Sequence, residues 1–193
     1  MATKVSICSN ALLILGAQTI NALTENSDRA RLASNLYDAT RDDLLRSHPW
    51  NCAVKRVVLA PDVDEPAFDY GNQFSLPGDW LRTLSVGPDG FEVDYRVEGE
   101  KILATGTSLA LRYIFRNDNE ATWDALLVTA MELKMAAKMC YAITKSASMT
   151  ELTEKKLEAH MRMARSVDAQ DDPAQTLGDE RLLSARFGSV RRF

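Results

Sequence analysis

Pro49 constrains this chain more than any other residue. Before it, Leu32, Ala33, Leu36, Tyr37, Thr40, Leu44 and Leu45 recur at helical spacing; after it, Val54–Leu59 reads as a strand. Proline disfavours helical geometry at the residue it follows and has no N–H for a helical ladder, so the helix must end at about Ser47 and the chain must turn. Trp50 stands at that turn beside an apolar stripe, which predicts a core anchor.

On the N-terminal side, Val5, Cys8, Leu12 and Leu15 predict a helix over 4–15, ended by Gly16. Ser27 can cap a second helix over 28–47 whose polar face carries Arg31, Asn35, Asp38, Arg41 and Asp42. Beyond Pro49, six extended segments (Val54–Leu59, Gln73–Leu76, Arg82–Val86, Val93–Val97, Lys101–Ala104 and Leu109–Phe115) alternate with turn signals such as PGD, GPDG and EGE. Helix returns at 120–145 around Trp123, Met131 and Ala137, with almost no polar face, and again at 150–168, where Ser148 and Glu151 form a capping box. The expected fold is α+β and mainly α. About four antiparallel helices form a bundle, a small antiparallel sheet is inserted between helices two and three (about 54–116), and an arm over 171–193 follows a single domain of 1–170.

Composition bounds the chemistry. The chain has 193 residues, 46% hydrophobic and 26% charged, which fits one ordinary globular domain. A net charge of -4 argues against tight wrapping of nucleic acid, since that affinity comes from Lys and Arg on phosphates. Cys8, Cys52 and Cys140 are far apart, with no His at ligand spacing, and read as reduced core thiols. The opening MATKVSICSNALLILG is interrupted by Ser6, Ser9 and Asn10 and fits an amphipathic helix better than a signal peptide. No segment is apolar for long enough to span a bilayer.

Motifs for catalysis are lacking. There is no H-E-x-x-H, no G-x-S-x-G and no phosphate-binding glycine loop; GEKILATGTS lacks the Gly-Lys pair that would hold a phosphate. His48 reads as a helix-ending residue and His160 as a core or boundary residue. Asp42-Asp43 and Asp171-Asp172 are neighbours, and helical neighbours point about 100° apart, so they form a solvated face and no acid/base pair. Trp123 reads as a core anchor, while Trp80 is balanced between core and interface. No cofactor and no metal are expected.

Two segments read as contact surfaces. The arm interleaves Arg181, Arg186, Arg191 and Arg192 with Leu182, Leu183, Phe187 and Phe193 and contains no acid from Arg181 onward. Arg and aromatic residues are enriched at interface centres. The hairpin YRVEGEKIL carries Glu98, Gly99 and Glu100 at its tip, too polar for a core.

The order of these pieces resembles a known family. It comprises Tyr37, Arg41, Asp42, Leu44, Leu45, Arg46, His48, Pro49, Trp50, Asn51 and Ala53 in Y-x-x-x-R-D-x-L-L-R-x-H-P-W-N-x-A, then Leu76, Pro77, Asp79, Leu81 and Arg82 in L-P-x-D-x-L-R, a Y-x-V-E-G hairpin, and a Tyr-Ile strand before a long Ala-rich helix. This succession, over about residues 5–190, resembles the head-to-tail adaptors of tailed bacteriophages, the tail tubular protein A family of short-tailed phages. Members usually carry Phe where this chain has Cys52. The resemblance implies a non-enzymatic virion protein of the neck, made in the host cytoplasm and forming a dodecameric ring. The portal protein would lie above, the tail nozzle protein below, and double-stranded DNA would pass through the lumen without specific binding; the composition of the arm and the polarity of the hairpin tip lead us to expect the arm on the portal and the hairpin toward the tail. Pro49, Trp50 and Trp123 would be its structural anchors. Rival readings are a tail-associated cell-wall hydrolase, which needs a carboxylate pair in a cleft, and a soluble helical DNA-binding regulator, which needs a basic recognition helix.

Overall fold

The computed structural model describes residues 1–88 and 93–171. Over these residues the chain is mixed α+β, with four long helices and two small antiparallel sheets of three strands each. The helices are α1 (Lys4–Ile14), α2 (Asp28–Arg46), α3 (Ala125–Thr144) and α4 (Ala147–Asp168); the strands are β1 (Val54–Leu59), β2 (Asn72–Ser75), β3 (Trp80–Val86), β4 (Tyr95–Glu98), β5 (Lys101–Ala104) and β6 (Leu109–Phe115). The expectations for Arg181, Leu182, Leu183, Arg186, Phe187, Arg191, Arg192 and Phe193 lie outside the described residues.

Helix α3 is the hub of the helical layer, and α1, α2 and α4 each pack on it. Its Leu127, Ala130, Met131, Met135, Ala136, Met139 and Cys140 are buried, so one strongly apolar helix supplies a surface to three others. Tyr141, near the C-terminal end of the helix, is exposed. Met149 and Met163 are also exposed, whereas Met161 is buried.

Two sheets replace the single sheet expected. Their strands follow α2 in the chain, in the orders β1-β6-β3 and β2-β5-β4, and they do not separate α2 from α3, which pack directly on each other. Alternation in β6 explains why two sheets are needed. Leu109, Leu111 and Tyr113 form one buried row with Phe74, Ile102 and Ala104 of the second sheet, while Ile114 joins the core of the helices. The first sheet therefore turns a full apolar row toward the second sheet, while its other face meets the helices only at the end that carries Ile114 and Leu81.

Several boundaries differ from the sequence reading for local reasons. Asn119 accepts a hydrogen bond from the Ala121 N–H, a short 3-10 turn occupies Glu120–Thr122, and Asp124 caps the Leu126 N–H at 2.7 Å, so α3 starts at Ala125 and not at 120. At the far end Lys145 takes a left-handed conformation (φ 53°), and Ser146 caps α4 in place of Ser148. Arg41, placed on the polar face of the second helix, is buried and held by Asp38 at 3.0 Å and Asp42 at 2.9 Å. Asp42 and Asp43 are likewise tied across elements, Asp42 to Arg116 at 2.8 Å and Asp43 to Lys134 at 2.9 Å.

Candidate interaction surfaces

The turn at Pro49 joins three parts of the molecule. Trp50 is 1% exposed, and its ring N–H donates to the Leu44 carbonyl at 3.1 Å, so the indole buries its body and satisfies its polar edge. His48 packs edge-on against it, with ring centroids 4.7 Å apart. The imidazole Nε2 of His48 lies 3.2 Å from a carboxylate oxygen of Asp168, the last residue of α4. The Asn51 backbone N–H donates to the same carboxylate at 3.2 Å, and the Asn51 side chain donates to the Asp168 carbonyl at 2.8 Å. Three groups of the H-P-W-N stretch thus fix the end of α4, and with it the point from which the C-terminal segment leaves. Nothing in the sequence near Asp168 marks it for this role, because the pairing spans about 120 residues.

The two motifs that carry the family resemblance meet in space. The Arg46 guanidinium donates to the Leu81 carbonyl, and Arg82 donates back to the Arg46 carbonyl at 3.1 Å. Asp79 of L-P-x-D-x-L-R accepts from Lys55 at 2.6 Å and from the Tyr113 hydroxyl at 3.0 Å, binding β1 and β6 to the turn before β3. Burial works against the Asp79 charge, but the Lys55 and Tyr113 hydrogen bonds outweigh it and hold the carboxyl below its ordinary range. Tyr37 donates to buried Glu120 at 3.0 Å, linking α2 to the turn before α3. Burial and the Glu120 carboxylate both push the Tyr37 hydroxyl up. These residues have structural partners, and the motif reads as a joint between layers.

Trp123 is buried in the helical core as expected, although its ring N–H finds no hydrogen-bond partner. Trp80 is half-buried against the core between the sheets and donates to Thr83 at 3.1 Å. The tip at Glu98 and Glu100 is exposed, with Gly99 at φ 59° making the turn. The hairpin is also strapped sideways, since the Leu76 N–H donates to the Glu100 carbonyl at 2.9 Å.

Nucleophilic chemistry finds little support in the thiols. Burial and then Glu120 push Cys8 up to about 12, and burial pushes Cys52 up to about 11, so both stay protonated near neutrality. All three cysteines are free. His160 donates to the Leu126 carbonyl at 2.8 Å, a link between α4 and α3. Among the described residues no group of three or more His, Cys, Asp or Glu side chains could hold a metal ion, and no helix is long and apolar enough to cross a membrane. No protein-family model matches the chain, and no curated protein matches it.

Proposed function

We propose that this chain is a structural head-to-tail adaptor of a tailed bacteriophage, a ring subunit between portal and tail nozzle with DNA passing through the lumen. The observation that carries the reading is the joint just described. The Y-x-x-x-R-D-x-L-L-R-x-H-P-W-N and L-P-x-D-x-L-R stretches interlock through Arg46 and Arg82, and H-P-W-N also clamps the end of α4 at Asp168. A connector must keep two partner-binding ends at a constant offset, and a joint that locks helices to sheets serves that need.

In this reading the C-terminal arm binds the portal through Arg181, Arg186, Phe187, Arg191, Arg192 and Phe193, and the Glu98-Gly99-Glu100 tip faces the nozzle. The net charge of -4 suits a channel wall that lets DNA slide. The protein performs no catalysis and works as part of the virion. Co-sedimentation of the full chain and a variant lacking 182–193 with purified portal rings tests this. The full chain should decorate the rings and the truncated chain should not. Failure of the full chain to bind any portal, together with cell-wall clearing in a zymogram or salt-dependent retention of duplex DNA, would replace the adaptor with one of its rivals.

A further inference from the structure

The two sheets carry opposite and complementary features on their outer faces. In the first sheet, Leu109, Leu111 and Tyr113 point toward the second, so Ala110 and Arg112 of β6 and their register partners Val58 and Arg56 of β1 point the other way. That outer face forms a groove of about 420 Å³ lined by Arg56, Val58, Ser85, Pro88, Ala110 and Arg112. Val58 is 70% exposed there. The Nε of Arg112 is shielded from water and has no hydrogen-bond partner among the described residues. Arg56 and Arg112 are direct cross-strand partners. Arg56 has another interaction within the chain, so the argument rests on Arg112 and the apolar floor.

On the second sheet, Phe74 and Ile102 point inward, so Gln73, Leu103 and Arg96, which share one register row, point outward. The segment 65–70 runs over that row, where Glu65, Phe68, Asp69 and Tyr70 line a cleft with Gln73 and Leu103. From Val57 to Leu81 the chain carries Asp62, Asp64, Glu65, Asp69 and Asp79 and no Lys or Arg. Asp62 is already paired with Lys101 at 3.0 Å. The rest of the loop exposes Val63 completely and Phe68 to 76%, beside Asp64, Glu65 and Asp69.

A groove with an apolar floor and the Arg112 guanidinium thus lies on one side of the paired sheets, and an acidic loop with two exposed apolar side chains lies on the other. We infer that the occupant of the groove is a second copy of this chain, with the acidic Val63–Phe68 loop of one subunit seated on Val58 and Arg112 of the next. Two different surfaces on opposite sides of one subunit make a heterologous contact, which propagates around a ring when the rotation closes. Charge complementarity sets its direction and register even though the subunits carry net like charge. The ring of the adaptor reading is its setting, but the contact is defined without the portal. One loop in one groove is a small interface beside the roughly 1,200–2,000 Å² buried by stable ones, so it should be weak in solution and strong only when many subunits are held together.

Disulfide trapping of the full-length chain tests the contact. Val58→Cys and Phe68→Cys variants, mixed under mild oxidation at low salt, should yield a crosslinked dimer far above that of either variant alone, of unmodified chain, or of a Tyr141→Cys control. Adding Arg112→Glu to the first partner, or Glu65→Arg to the second, should each reduce the yield about tenfold, and combining the two should restore it. Thermal melting checks that each variant is folded; Glu65 sits on an exposed loop, so its variant keeps the test open should Arg112→Glu unfold. A mixture that crosslinks no better than the Tyr141→Cys control, or Phe68→Cys alone forming most of the dimer, overturns the inference. In either case portal co-sedimentation of the unmodified chain still decides the adaptor reading separately.

Discussion

The turn at residues 47–53 and the loop at 60–71 lie only a strand apart in the chain, and they are built by opposite rules. The first buries an indole, returns its N–H to a carbonyl, and gathers His48 and Asn51 around Asp168. The second exposes Val63 and Phe68 and, among the described residues, holds only Asp62 in an ion pair, with Lys101. Both contain proline and an aromatic residue, and only the second carries acids of its own. The difference is whether tertiary neighbours arrive to cover the aromatic ring, and it separates a region that carries stability from one available for contact.

The sharpest way to break this contrast is to truncate each aromatic side chain. Trp50→Ala should cost about 3–5 kcal/mol in denaturant unfolding, since it removes a buried indole and leaves a cavity in the core of the helical layer. Soluble protein that unfolds at the wild-type midpoint would place Trp50 on an interface instead. Next in size is Tyr37→Phe, which leaves the buried Glu120 carboxylate without its donor and should cost about 1–3 kcal/mol; an unchanged midpoint would mean that water replaces the hydroxyl.

Acid should loosen the joint before the rest of the fold. Burial lowers the His48 pKa, and the Arg165 and Arg82 charges add to that, while Asp168 opposes them without reversing the direction. The unfolded chain therefore takes up this proton first, and stability falls as pH drops through the ordinary imidazole range near ~6.5. Asp43 is held below its ordinary range chiefly by its hydrogen bond from Lys134, so its contribution persists to lower pH and is lost only in acid. Melting curves from pH 8 to 5 should show the first loss in wild type and not in His48→Asn. Parallel curves would remove His48 from the account.

Smaller effects are expected on the exposed side. Gly99→Ala should cost about 1 kcal/mol from left-handed backbone alone, because open space surrounds the position where a Cβ would sit. A larger loss in calorimetry would mean the hairpin tip is packed. Phe68→Ala should shift stability by no more than about 0.5 kcal/mol, and a loss comparable to that of Trp50→Ala would show that the loop is core.

Local chemistry reaches far in this chain. Pro49 ends α2, Gly16 takes a left-handed conformation (φ 71°) just after α1, and Gly99 turns the hairpin, each through steric limits on one or two residues. The apolar stripe of α3 likewise announces a central helix, because burial follows from its own periodicity. Tertiary structure alone decided the division into two sheets. Alternation in β6 states that two faces exist but not what covers each, and Phe74 and Ile102 become the cover only when β2 and β5 stack there. The burial of Arg41 belongs to the same class: helical spacing puts it on a polar face with its local partners Asp38 and Asp42, and only the folded chain covers it and brings Arg116 to Asp42. So does Asp168, whose partners His48 and Asn51 lie at the other end of the sequence. Steric and periodic rules act within a few residues and can be read in order, whereas hydrogen bonds and ion pairs between distant segments exist only once the chain has brought them together.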